Sequence, residues 1–210
     1  MLITARYLID LARHPKTRAD ELLGLRRRFR AAQRLVIACG PQERAAAQHM
    51  RELRARISEA IGRPRCCSEC ARNYPPPNGR WEGGYCCGTD TWRVFTDDEL
   101  QALAAAGTDT ATMSSPRSDH AGCTFRGPTG CSIAPWDRPN ICARYLCLTL
   151  VAELRERGDL KPIDAMCNAL AKEFTRFLEL RAARVNRDEL QELERELASA
   201  APGRRGTGTP

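Results

Sequence analysis

Residues 66–147 read CCSECARNYPPPNGRWEGGYCCGTDTWRVFTDDELQALAAAGTDTATMSSPRSDHAGCTFRGPTGCSIAPWDRPNICARYLC, and the reading of this stretch decides the fold. Nine of the 11 cysteines lie in it, at Cys66, Cys67, Cys70, Cys86, Cys87, Cys123, Cys131, Cys142 and Cys147. Cys67-Ser-Glu-Cys70 is a C-x-x-C, whose tight turn lets two thiolates converge on one tetrahedral ion or one edge of a cluster. Cys86 and Cys87 are adjacent, and consecutive side chains of an extended backbone point to opposite faces. They either serve two metals or are bent towards one polynuclear cluster by a turn at Gly83-Gly84 or Gly88.

The rest of the stretch supplies turns and short elements rather than a core. ARNYPPPNGRWEGGY, between Cys70 and Cys86, is a loop in which three prolines enforce an extended path and Asn78-Gly79 makes a turn. Tyr74, Trp81 and Tyr85 pin this loop to its own domain or offer a stacking surface to a ligand. Thr91–Phe95 reads as a short β-like run, and Thr96-Asp-Asp-Glu99 as a capping box opening a helix that stops at Gly107. Residues 108–118 read as a polar loop. Gly122–Ile133 has a hairpin pattern, turning at Gly127-Pro128 and Gly130, which would bring Cys123 and Cys131 together. Arg138-Pro139 then opens a helix with proline at its preferred first position, and Cys142 falls in the first turn, where free amides favour a thiolate. Cys147 is five residues further on, a spacing that distorts the helix or spans a wide cluster.

Outward from this stretch the chain is helical. Leu22, Leu25, Phe29, Ala32 and Val36 form one apolar stripe ending at Gly40-Pro41; Ala46, Met50, Leu53, Ile57 and Ile61 form a second ending at Gly62. The two are expected to pair as an antiparallel hairpin. After Cys147, LTLVAELRERG is a helix ended by Gly158, and a new helix from near Pro162 carries Ile163, Met166, Leu170, Phe174, Phe177 and Leu180 on one stripe. NRDELQELERELASA is a charged helix or packing arm. Cys39 and Cys167 read as buried structural thiols, His14 and His49 as surface or core residues, and His120, three residues before Cys123, as the lesser, nitrogen alternative to a cysteine ligand.

The fold class expected is mainly α, a helical scaffold around an irregular cysteine-rich metal-binding core with a short β-hairpin. One compact unit divides into an N-terminal helical hairpin over 1–62, the cysteine core over 63–150, C-terminal helices packing on that core over 151–200 and a disordered tail over 201–210. MLITARYLIDLARHPK has neither the unbroken apolar region of a signal peptide nor the length of a membrane span, so a cytoplasmic protein without a membrane partner is expected. Thiols are kept reduced there, and a dense cysteine set ligates metal rather than forming disulfides. The net charge of +7 comes from 33 basic residues, all but three of them arginines, scattered along the chain. Scatter disfavours a nucleic-acid partner and leaves room for a protein partner.

The order C-x-x-C, C-C, capped helix, then C…G-C-S-I…R-P-x-x-C…C resembles the YkgJ-type cysteine-cluster proteins, described as zinc- or iron-chelating. The resemblance rests on Cys67, Cys70, Cys86, Cys87, Cys123, Gly130-Cys131-Ser-Ile133, Arg138-Pro139, Cys142 and Cys147, and covers less than half the chain. In the family the C-x-x-C and C-C elements lie a few residues apart, whereas here Ala71 to Tyr85 intervene, and either Cys66 or Cys67 partners Cys70. The resemblance implies a metal set of Cys67, Cys70, Cys86, Cys87, Cys123, Cys131, Cys142 and Cys147, holding an iron–sulfur cluster or zinc. One branch of the family resembles flagellin lysine N-methylases, which would imply an enzyme using S-adenosylmethionine. No G-x-G-x-x-G follows a strand here to cradle that cofactor, so such an activity would need a site built by other means. A zinc-stapled module binding protein or nucleic acid is the third expectation.

Overall fold

The structure, a computed structural model, describes residues 18–66, 91–109, 111, 113, 123–127 and 130–200. It is mainly helical. In chain order the helices are α1 (Arg18–Leu35, continued by a 3-10 turn Val36–Ala38), α2 (Pro41–Ile61), α3 (Thr91–Val94), α4 (Asp97–Ala105), α5 (Asn140–Arg144), α6 (Leu148–Glu156) and α7 (Leu160–Ala200). Arg126–Gly127 (β1) and Gly130–Cys131 (β2) pair antiparallel, with Arg126 opposite Cys131, and the Ser132 N–H donates to Phe125 O at 2.9 Å.

The buried apolar residues fall into two clusters, and the helices are best understood by which cluster each one serves. In the first, Met50, Leu53 and Ile57 of α2 meet Ile163, Leu170 and Phe177 of α7, closed by Leu150 and Leu154 of α6. In the second, Leu25, Phe29 and Ala32 of α1 meet Val94, Phe95, Phe125 and Ile133. The Phe95 and Phe125 rings are 5.4 Å apart and tilted, an arrangement that aligns ring edge with ring face. Helix α4 lies between the clusters. Leu100, Leu103 and Ala104 face the second, while Ala102 and Ala106 face the first, the division expected of 3.6-residue periodicity.

This division redirects the first two helices. Instead of forming a hairpin of their own, α1 packs chiefly on α4 and α2 chiefly on α7. Their apolar stripes are separated at Cys39-Gly40, where the backbone turns extended before Pro41 starts α2. Arg28 holds the first pairing, donating to Phe95 O at 2.7 Å and to Asp97 at 2.8 Å. Arg184 holds the second, donating from α7 to the buried Glu43 at 3.0 Å, which in turn accepts the Gly40 N–H at the start of α2. The long α7 therefore rests mainly on the N-terminal part of the chain, with smaller contacts to α4, α5 and α6.

Two local expectations change. Thr91–Val94 is a helical turn rather than a strand, because Glu21 accepts the Thr91 N–H at 2.8 Å and Thr91 O accepts the Phe95 N–H. The charged segment after Val185 is not a separate helix; α7 runs unbroken from Leu160 to Ala200. Gly62, Gly107 and Gly158 all have φ between 66° and 82°, the left-handed conformation that ends α2, α4 and α6 without a Cβ clash.

Candidate metal centre

Of the eight expected ligands, Cys123, Cys131, Cys142 and Cys147 are described, and Cys67, Cys70, Cys86 and Cys87 lie outside the described residues. So do His14, His120, Tyr74, Trp81, Tyr85 and the tail 201–210. Cys123 and Cys131 are half-buried on the second apolar cluster, and Cys131 is the last residue of β2. Cys142 is exposed in α5. Cys147 is half-buried against the first cluster.

The spacing of Cys142 and Cys147 has a simple resolution. Helix α5 ends at Arg144 and α6 begins at Leu148, so the two cysteines belong to different helices. Pro139 is the residue before the first helical turn of α5 rather than its first helical residue, and Cys142 donates its N–H to Pro139 O at 3.0 Å. Cys147 is the N-cap of α6, its Sγ accepting the Leu150 N–H at 3.4 Å. A sulfur in that position faces the positive end of the helix dipole.

Cys66 is brought to the same helix. Glu153 of α6 accepts the N–H of Arg65 at 2.9 Å and of Cys66 at 2.8 Å, and the Cys66 thiol also bonds to it. These bonds, the Cys66 N–H foremost, hold the Glu153 carboxyl below the usual range. Glu153 is six residues beyond Cys147, roughly 9 Å along the helix at about 1.5 Å per residue.

Beneath α5 lies a buried polar group that sequence reading missed. Arg54 of α2 is 0% exposed; it donates from Nε to Met50 O at 3.2 Å and from Nη1 to Arg138 O at 2.9 Å, and its Nη2 has no hydrogen-bond partner among the described residues. Glu99 of α4 accepts the N–H of Asn140, the first residue of α5, at 3.1 and 3.2 Å. Burial pushes the Glu99 carboxyl up to about 7, opposed by the Asn140 N–H and Arg54. Burial likewise brings Arg54 down to about 10, opposed by Glu99 and Asp137. Arg138 donates to Ile133 O at 3.1 Å, so the segment after Cys131 is tied to the start of the Cys142 helix. Asp137 accepts from Thr108 at 2.7 Å and pairs with Arg51 at 3.5 Å, fixing the same segment from its other side.

Both missed residues had a partial signal. Arg54 stands four residues after Met50 and three before Ile57, a charged side chain set among apolar helical positions. Glu99 was legible as the closing residue of a capping box. Only half of that box forms: Thr96 accepts the Glu99 N–H at 3.3 Å, but the carboxylate turns away to Asn140.

Cys39 and Cys167 differ from each other. Cys167 is buried within the α7 stripe, between Ile163 and Leu170, and burial raises its pKa. Cys39 is half-buried at the end of the 3-10 turn; burial and then Glu43 raise its pKa, against Arg184, Arg44 and Arg181. His49 stands 3.6 Å from Glu173 in an ion-pairing position, not in a ligand cluster. Among the described residues, no three His, Cys, Asp or Glu side chains are grouped so as to hold a metal ion, and no helix is long and apolar enough to cross a membrane. No family model, curated protein or solved structure matches the chain.

Proposed function

We propose that this chain is a metal-binding protein of the YkgJ type, holding an iron–sulfur cluster or zinc through Cys67, Cys70, Cys86, Cys87, Cys123, Cys131, Cys142 and Cys147. The observation that carries the reading is the attachment of Cys66 to α6 through Glu153, on the helix that Cys147 caps. The two ends of the cysteine-rich stretch are thus anchored to one helix, although the whole stretch separates them in sequence. The donor chemistry fits: an all-thiolate set suits zinc or an iron–sulfur cluster, and Cys123, Cys131, Cys142 and Cys147 are all partly or fully accessible. Such a group supplies either a structural cross-link or, as a cluster, one-electron chemistry. The chain's own part is to hold its thiolates, and the Glu99–Asn140 and Arg54–Arg138 bonds brace the α5 segment that carries Cys142.

Metal content and visible absorption of anaerobically purified protein test the reading. Cys70→Ser, Cys131→Ser and Cys142→Ser are expected to lose metal, because a structural site contributes on the order of 10 kcal/mol of binding free energy. Cys39→Ala and Cys167→Ala are expected to keep it. Equal loss in the second pair overturns the ligand assignment, and a colourless protein rich in zinc selects zinc over the cluster.

A methylase-type enzyme, implied by one branch of the resemblance, is the second reading, and an open cleft of about 470 Å³ beside the Cys147 segment, lined by Arg144, Leu146, Leu160, Asp164 and Cys167 among others, has room for a small ligand. Calorimetric titration of the metal-loaded protein with S-adenosylmethionine tests it, and no detectable heat at millimolar ligand removes it while leaving metal binding untouched.

A further inference from the structure

The last turns of α7 form an exposed arm with an apolar stripe. Every residue from Val185 to Ser199 is exposed, and Leu190, Leu193 and Leu197 are 61%, 52% and 65% exposed at i, i+3 and i+7, one apolar stripe left uncovered among the described residues. A segment of 15 residues is marginally helical in water by itself, so an apolar stripe along it calls for a partner. Its flanks are acidic. Residues 186–200 hold five acidic side chains against two basic ones, and among the described residues Glu189, Glu194 and Glu196 have no ion-pair partner.

Pairing of the stripe with its own copy is disfavoured, since glutamates flank it on both sides and would face one another. What fits is a helix with exposed apolar residues and basic flanks. The chain carries one: α1 holds six arginines against two acidic residues, and its outer face presents Leu23, Arg27, Arg30 and Arg34 in helical register, with Leu35 at the edge of that face. Leu23 and Leu35 are about half exposed, and among the described residues Arg27, Arg30 and Arg34 make no ion pair. The lengths match, roughly 22 Å for the arm and 27 Å for α1 at about 1.5 Å per residue. Within one chain the arm is not packed on α1, since α7 runs unbroken past the Arg184–Glu43 pair with every residue from Val185 to Ser199 exposed.

We propose that the arm of one copy docks on the basic outer face of α1 of a second copy, in a two-fold dimer that makes this contact twice. An interface that is reciprocal in this way closes on itself and leaves neither stripe free.

Sedimentation velocity of the full chain tests the proposal, with circular dichroism to verify helix content. The unaltered chain is expected to be dimeric at micromolar concentration, with a dissociation constant that rises with salt. Leu193→Asp is expected to give monomer. Reversing the arm charges (Glu189→Arg, Glu194→Arg, Glu196→Arg) or the α1 charges (Arg27→Glu, Arg30→Glu, Arg34→Glu) is expected to weaken association roughly tenfold or more. Combining both sets in one chain restores it. A monomeric unaltered chain, or a dimer broken by the arm set but indifferent to the α1 set, overturns the proposal.

Discussion

The two apolar clusters differ in what they are made from and in what they hold. The first is built by long helices, α2 and α7, whose stripes run continuously over many turns and meet side by side. The second is assembled from pieces: α1, the α3 turn, one face of α4, Met113, Phe125 and Ile133. Each receives part of the cysteine set, Cys66 and Cys147 packing on the first and Cys123 and Cys131 on the second. Between them run α4 and the buried Arg54, Glu99 and Asn140. Long helices thus act as scaffold, while short irregular segments carry the cysteines and depend on polar bonds to keep their shape.

The sharpest test is whether the clusters fold as one unit. Phe177→Ala in the first and Phe29→Ala in the second each remove a fully buried ring and are expected to cost about 3–5 kcal/mol. If α4 couples the clusters, both variants shift one common denaturant transition followed by circular dichroism. Two separated transitions would break the comparison into two independent bodies.

The buried polar link comes next. Arg54→Ala leaves Glu99 and Arg138 O without their cation and opens a void, with an expected loss of about 3 kcal/mol or more. Arg54→Met keeps the volume and is expected to lose less. Denaturant midpoints of both variants and of Glu99→Gln, combined with Arg54→Met in a double-mutant cycle, measure the coupling; additive losses would show that Arg54 and Glu99 do not act together.

The same link gives a pH dependence. Glu99 has its folded pKa raised to about 7 from 4.5, so the folded state binds the proton more strongly than the unfolded state. Its contribution is therefore fully present below about 4.5 and is lost as pH rises to about 7. Unfolding midpoints measured between pH 5 and 8 are expected to fall less steeply with pH in Glu99→Gln than in the unaltered chain. The smallest effect sharpens the local picture: Thr96→Ala removes the N-cap of α4 and is expected to cost about 1 kcal/mol by the same measurement.

Much of this architecture was legible without a structure, and the reason is periodicity. The stripes of α1, α2 and α7, the Thr96 cap and the glycine stops at Gly62, Gly107 and Gly158 are all set by residues within a few positions of one another. Local patterns determine local elements. The helical spacing of Ile163, Leu170 and Phe177 announced the face that α7 buries, and the structure adds Cys167 to that face.

What the sequence by itself determined was the list of helices and the cysteine-rich stretch between them; which helix packs on which was decided only in three dimensions. A stripe states that a face must be buried, not what buries it, so α1 and α2 read as partners although each packs elsewhere. The same holds for the polar link. A glutamate after Thr96 signals a cap, but Glu99 gains more by accepting the buried Asn140 N–H of a helix 41 residues away, where water offers no substitute. Arg54 is tolerated in an apolar face for the same reason: Arg138 O and the carboxylates of Glu99 and Asp137 come from distant parts of the chain, and only the assembled fold brings them within reach.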